Sequence, residues 1–126
     1  MTRSIPIEKI KDDCIIAWAM NGEALRPEQG YPVRLVVPGW EGNMWVKWIR
    51  RLEFGDKPYM TREETSKYTD LLTSGKARMF TWVMDAKSVI TSPSPEKPIL
   101  AKGLHQLRGL AWSGRGKIKR VDVSID

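Results

Sequence analysis

Gln29-Gly30-Tyr31-Pro32-Val33-Arg34-Leu35-Val36-Val37-Pro38-Gly39-Trp40-Glu41-Gly42-Asn43-Met44-Trp45-Val46-Lys47-Trp48 is the stretch whose reading decides the fold. Val33 to Val37 is a short apolar run closed at both ends by proline, which predicts a buried strand. Pro38 to Asn43 is rich in turn formers. From Trp45 to Phe54 the chemistry is again strand-like, with Val46, Trp48, Leu52 and Phe54 on one face and Lys47, Arg51 and Glu53 on the other. Arg34 opens the first of these strands and Lys47 opens the second. Glycine between them lets backbone amides approach a ligand closely, and an arginine paired with a lysine suits a phosphate or another anion. The plainer reading is two surface cations flanking an ordinary turn.

On the N-terminal side, Ser4, Pro6 and Glu8 form a helix start, with a capping residue, a first-turn proline and an acid near the positive dipole end. Ile7, Ile10, Cys14 and Ala17-Trp18 recur at helical spacing, and Asn21-Gly22 supplies a left-handed stop. On the C-terminal side, Thr61 with Glu64 three residues later predicts a capping box and a helix running to about Leu72. Met79 to Met84 and Ser88 to Ile90 read as short strands. Thr91-Ser92-Pro93-Ser94-Pro95-Glu96-Lys97-Pro98 reads as a linker, because stacked prolines resist helix and sheet. Two strands follow, about Leu104 to Trp112 and Ile118 to Ile125, joined by Ser113-Gly114-Arg115-Gly116. Val121, Val123 and Ile125 alternate with polar residues, as on a half-buried sheet. The expected class is α+β.

The composition is that of a globular protein, 41% hydrophobic and 29% charged over 126 residues. No apolar run approaches the ~20 residues of a membrane span, and the first residues lack the hydrophobic stretch of a signal peptide. The net charge of +6 raises the possibility of a nucleic-acid partner. The basic residues, however, are spread along the chain among acids, and the densest run, Arg115 to Arg120, adjoins an expected turn. A solvated strand face or an anionic cofactor rim accounts for it better.

The inventory for catalysis is thin. The single histidine, His105, lies in an expected apolar strand and reads as a packed or hydrogen-bonded residue. The single cysteine, Cys14, reads as a buried structural thiol, and its solitude excludes an internal disulfide. Asp12 and Asp13 are helix neighbours that do not face each other. No residue spacing suggests a metal site or a nucleophile–base pair, so neither catalytic nor metal-ligating residues are assigned.

Three blocks nevertheless resemble the C-terminal end of the molybdopterin-binding domain of sulfite oxidases: Ala19 to Leu25, Gly30 to Trp40, and Val46 to Arg51. Gly109-Leu110-Ala111-Trp112-Ser113-Gly114-Arg115-Gly116 with Val121-Asp122-Val123-Ser124 resembles the opening of that family's immunoglobulin-like dimerisation domain. The segment from Lys57 to Glu64 onward resembles the bacterial sulfite dehydrogenase subunit of sulfur-oxidising systems more than the animal enzymes. The resemblance implies the C-terminal part of a molybdopterin-binding fold over residues 1–56, a connecting helix, strands and proline-rich linker over 57–98, and the first strands of an immunoglobulin-like β-sandwich over 99–126. It implies a parent enzyme that oxidises sulfite or a related reduced-sulfur compound with a molybdenum–molybdopterin cofactor. That parent would form a homodimer or self-associate in another way, pass electrons to a c-type cytochrome and work in the periplasm.

By the same resemblance, the cofactor-binding residues are Arg34 and Trp45-Val46-Lys47, with Gln29 where the family often has histidine. The family's molybdenum-ligating cysteine lies in a different motif from Cys14, so the chain alone is expected to be inactive. Two other readings are weighed against this one. A self-associating interaction module without cofactor would yield no pterin on extraction. A basic nucleic-acid-binding module would show salt-dependent binding to duplex DNA.

Overall fold

In the computed structural model, which describes residues 1–124, the chain forms two compact units, Met1–Val83 and Met84–Asp126.

The first unit is organised around the strand in the decisive stretch. The helix α1 spans only Ile7–Asp12, then the chain turns into the strand β1, Ile15–Ala17. The expected long first helix is therefore cut short. Ile15 and Ile16 are β-branched and stiff at χ1, a preference better met in a strand. They pair antiparallel with the strand β4, Arg34–Val36, in the register Ile15↔Val36, Ile16↔Leu35 and Ala17↔Arg34. The strands β2, Ala19–Met20, and β3, Glu23–Ala24, close a small hairpin. Asn21 and Gly22 both adopt positive φ, +54° and +82°. Asn-Gly is thus a hairpin turn here and not a helix stop.

On its other edge, β4 meets the segment after Trp45 in a brief contact. Leu35 N donates to Val46 O at 2.8 Å, Ile49 N donates to Val33 O at 3.2 Å, and Arg34 faces Lys47 in an antiparallel bridge. The long strand expected over Trp45 to Phe54 does not form. Trp48 takes φ +54°, which breaks the extended run, and Trp48, Leu52 and Phe54 lie exposed instead of on a core face.

The core consists of Val37, Trp40 and Met44, with Ile5, Cys14, Leu35, Trp45, Trp82 and Val83 packed against it. Trp40 and Trp82 stack with centroids 5.2 Å apart and rings 15° from parallel. Cys14 is half-buried against this cluster. Burial pushes its thiol pKa up, opposed by Lys9 and reinforced by Asp13 and Asp12. It stays protonated at neutral pH, which makes it a poor nucleophile.

The helix α2 spans Arg62–Lys67 and ends well before Leu72, because Thr69–Leu71 forms the strand β5 against β6, Ala77–Met79. The capping box is also absent: Thr61 makes no side-chain cap bond, and its Oγ1 is buried without a partner. Glu64 turns inward. Its side chain is fully buried, Oε1 accepts Ser4 N at 2.9 Å, and Arg3 Nη1 lies 3.9 Å away with its own side chain only 1% exposed.

The second unit is a two-stranded antiparallel ribbon of β7, Lys87–Ser92, and β8, Arg108–Trp112. The expected pairing of β8 with a strand at Ile118 to Ile125 is not formed over residues 118–124, and Ile125 lies outside the described residues. Alternation marks a sheet face but does not choose the neighbour, and β7 is the neighbour. The proline-rich segment is consequently a connection within the ribbon. Ser94 and Lys97 bond each other across a tight turn, with Pro95 where a turn favours proline. His105 sits outside any strand, exposed, with Nε2 2.7 Å from Ala101 O.

Gly109 fits where a side chain would not, since a Cβ there would lie 2.8 Å from Val89 O. Gly109→Ala should destabilise the ribbon by about 1–3 kcal/mol, the range for overpacking. Loss of amide protection across β7 and β8 in hydrogen exchange would register this. Unchanged protection would contradict the close approach.

Candidate functional site

The expected site residues gather around one turn. Pro27–Gln29 forms a single 3-10 turn, stopped by Gly30 at φ +115°. Gly30 N and Tyr31 N both donate to Arg26 O at 3.1 Å, tightening the loop. Gly30 is buried, and a Cβ on it would lie 3.1 Å from both Arg34 Cβ and Lys47 Cβ. Arg34 and Lys47 therefore flank the same glycine from adjacent backbone segments. Directly opposed residues of an antiparallel pair project to one side, which explains how two cations 13 positions apart in the sequence come together.

Their charged ends reach neighbouring carbonyls. Arg34 Nη1 donates to Gln29 O at 3.0 Å and Nη2 to Trp45 O at 3.4 Å, while Nε is buried with no partner. Lys47 Nζ donates to Glu28 O at 2.5 Å. A guanidinium carries five N–H donors and an ammonium three, so neither is exhausted by these bonds. Arg34 lies 5.7 Å from the Trp45 ring centroid, and Lys47 Nζ is equally far from that of Trp48.

Gln29 ends the turn, and its Oε1 accepts the Arg26 amide at 2.9 Å. Its side-chain oxygen is thus engaged in holding the loop. Trp45 is half-buried and gives its indole N–H to Trp40 O at 3.2 Å, tying the site to the core. Val46 contributes its carbonyl to β4. Two features had no sequence signal. One is the indole of Trp48, which donates to Pro27 O at 2.9 Å. The other is the buried Arg3–Glu64 pair, whose partners are too far apart in sequence for any spacing rule to join. Among the described residues, no group of three or more His, Cys, Asp or Glu side chains is placed to hold a metal ion.

The same residues lie within a recognised domain. Residues 1–63 match the oxidoreductase molybdopterin binding domain, and residues 78–126 match the Mo-co oxidoreductase dimerisation domain. The chain belongs to the molybdopterin-dependent oxidoreductase family. Its fold is accordingly α+β: part of the molybdopterin-binding domain followed by strands of the immunoglobulin-like dimerisation domain.

Among solved structures, this molybdopterin-family chain is similar to the sulfane dehydrogenase SoxCD of Paracoccus pantotrophus, with 67% identity and a TM-score of 0.82. That match covers 90% of this chain and 30% of the other. It is also 34% identical to the mitochondrial sulfite oxidase of Drosophila melanogaster, over 98% of this chain and 24% of that protein. The NADPH nitrate reductase of Mycosarcoma maydis is 32% identical over 89% of this chain and 14% of its own length. The chain thus spans between 14% and 30% of these relatives.

Proposed function

We propose that the chain is the cofactor-rim and dimerisation portion of a molybdenum enzyme that oxidises sulfite or a related reduced-sulfur compound. The observation that carries this reading is the 67% identity with a sulfane dehydrogenase, against 32% and 34% with nitrate reductases that share the family. In the proposed arrangement, residues 1–56 form the cofactor rim. Residues 57–98 form the connecting block, which carries β7, and 99–126 form the start of the dimerisation domain.

The proposed cofactor-binding residues are Gln29, Arg34, Trp45, Val46 and Lys47. Their chemistry fits an anionic pterin phosphate: two cations flank one glycine, and the Arg34 Nε proton is buried without a partner. Arg34 and Lys47 would hold negative charge through charge-assisted bonds. Gln29 and Trp45 would keep the loop and the strand in place beneath it. When bound, the molybdenum cofactor supplies the two-electron redox chemistry. We further propose self-association through the dimerisation unit, a c-type cytochrome as electron acceptor, and a periplasmic location.

The test uses the complete enzyme that contains these residues. The expected result is bound pterin and molybdenum, cytochrome c reduction driven by sulfite or a sulfane-sulfur compound, and a dimeric mass in light scattering. Nitrate reduction with no turnover of reduced sulfur would sink the substrate assignment. Absence of pterin would favour an interaction module instead. The 126-residue chain alone is expected to show no sulfite turnover above a buffer control.

A further inference from the structure

Successive residues of an extended strand point to opposite faces, yet Lys47 and Trp48 both reach the same turn. Lys47 Nζ donates to Glu28 O and Trp48 Nε1 to Pro27 O, two consecutive carbonyls. The left-handed φ of Trp48, +54°, swings the indole round to that side. For a bulky aromatic residue this conformation is strained, and such strain persists only where the surroundings impose it. Burial does not impose it here, because Trp48 is 54% exposed. Asn21 shares the same φ but sits in an Asn-Gly hairpin turn, where that conformation is ordinary. The ring of Trp48 also lies within cation–π range of Lys47 Nζ, at 5.7 Å.

We propose that Trp48 is a positioning residue for the anion site: its indole fixes the Pro27–Gln29 turn and the Lys47 ammonium in one orientation. The inference rests on the proposed anion-binding role of Arg34 and Lys47, and it deepens that role. Trp48 acts through Lys47 and the turn and need not touch the bound anion. The aromatic ring confines the lysine's flexible stem, and the indole N–H anchors the carbonyl next to the one that Lys47 holds. The site then presents a fixed charge to a phosphate group, where a free lysine would sample many rotamers.

The experiment titrates inorganic phosphate into the full chain, followed by phosphorus NMR, for wild type, Trp48→Phe, Lys47→Met and the double variant. Trp48→Phe keeps the ring and loses the donor. It should weaken phosphate binding by roughly twofold to tenfold, the range for one neutral hydrogen bond. Because part of the action of Trp48 runs through Lys47, the same change in the Lys47→Met background should have a smaller effect than in the wild type. Melting temperatures report folding separately, and the complete enzyme's bound pterin should fall in parallel for Trp48→Phe. Wild-type affinity in Trp48→Phe, or effects that simply add in the double variant, would overturn the positioning role while leaving the anion site standing. No phosphate binding by wild type would remove the anion site itself and this inference with it.

Discussion

Replacing Glu64 with alanine should cost the first unit about 3–5 kcal/mol, the range for breaking one side of a buried ion pair. The carboxylate is fully buried beside an arginine that is itself 1% exposed, at 3.9 Å. Its removal strands the Arg3 guanidinium, which stacks 3.5 Å over the Tyr68 ring and donates from Nε to Asn43 O at 3.1 Å. The Ser4 amide loses its acceptor as well. A domain of this size typically has about 5–15 kcal/mol of stability in total, so the loss should appear as a large drop in the urea midpoint. Glu64→Gln should be milder, because an amide oxygen can still accept from Ser4. A paired Glu64→Leu, Arg3→Met variant should recover much of the loss, since no buried charge is then left alone. A cost below about 1 kcal/mol for Glu64→Ala would show that Arg3 can reach water or another partner.

The second large effect concerns the proposed cofactor rim. In the complete enzyme, Arg34→Met and Lys47→Met should each weaken cofactor retention by about tenfold to 150-fold, the equivalent of one charge-assisted hydrogen bond of ~1.5–3 kcal/mol. Arg34→Met should have the larger effect. It removes two bonds that hold the Gln29 and Trp45 carbonyls as well as the buried Nε proton. Arg34→Lys should not rescue it, because an ammonium cannot reproduce the planar fork that spans both carbonyls. Extracted pterin fluorescence and molybdenum per subunit give the measurement. Full occupancy in both variants would place the phosphate elsewhere.

Much of the site region could be read from the sequence. Two prolines around a mostly apolar run predicted β4, and Arg34 and Lys47 at the starts of successive segments suggested a shared face. What the sequence could not show was pairing. Ile15 and Ile16 fit a helical period as well as a strand, and only the partner β4 decides between them. The alternating residues near the C-terminus look like the partner of β8, but β7 holds that position. Glu64 three residues after Thr61 satisfied a local capping pattern, yet a tertiary contact with Ser4 prevailed. Trp48 satisfied the strand alternation, but it takes a left-handed backbone and bonds Pro27 O, neither of which any periodicity encodes.

The core of the first unit is assembled from residues far apart in order of synthesis. Trp40 stacks on Trp82, Glu41 N donates to Trp82 O at 2.8 Å, and Trp40 bridges Val83. A nascent chain emerging from the ribosome would expose Val37, Trp40 and Met44 long before the segment that covers them exists. The closing contacts span some forty residues, so the entropy of shutting that loop must be met before burial begins to compensate. Until Trp82 and Val83 arrive, the tryptophan-rich centre is an open apolar surface of the kind that chaperones bind and that aggregates grow from.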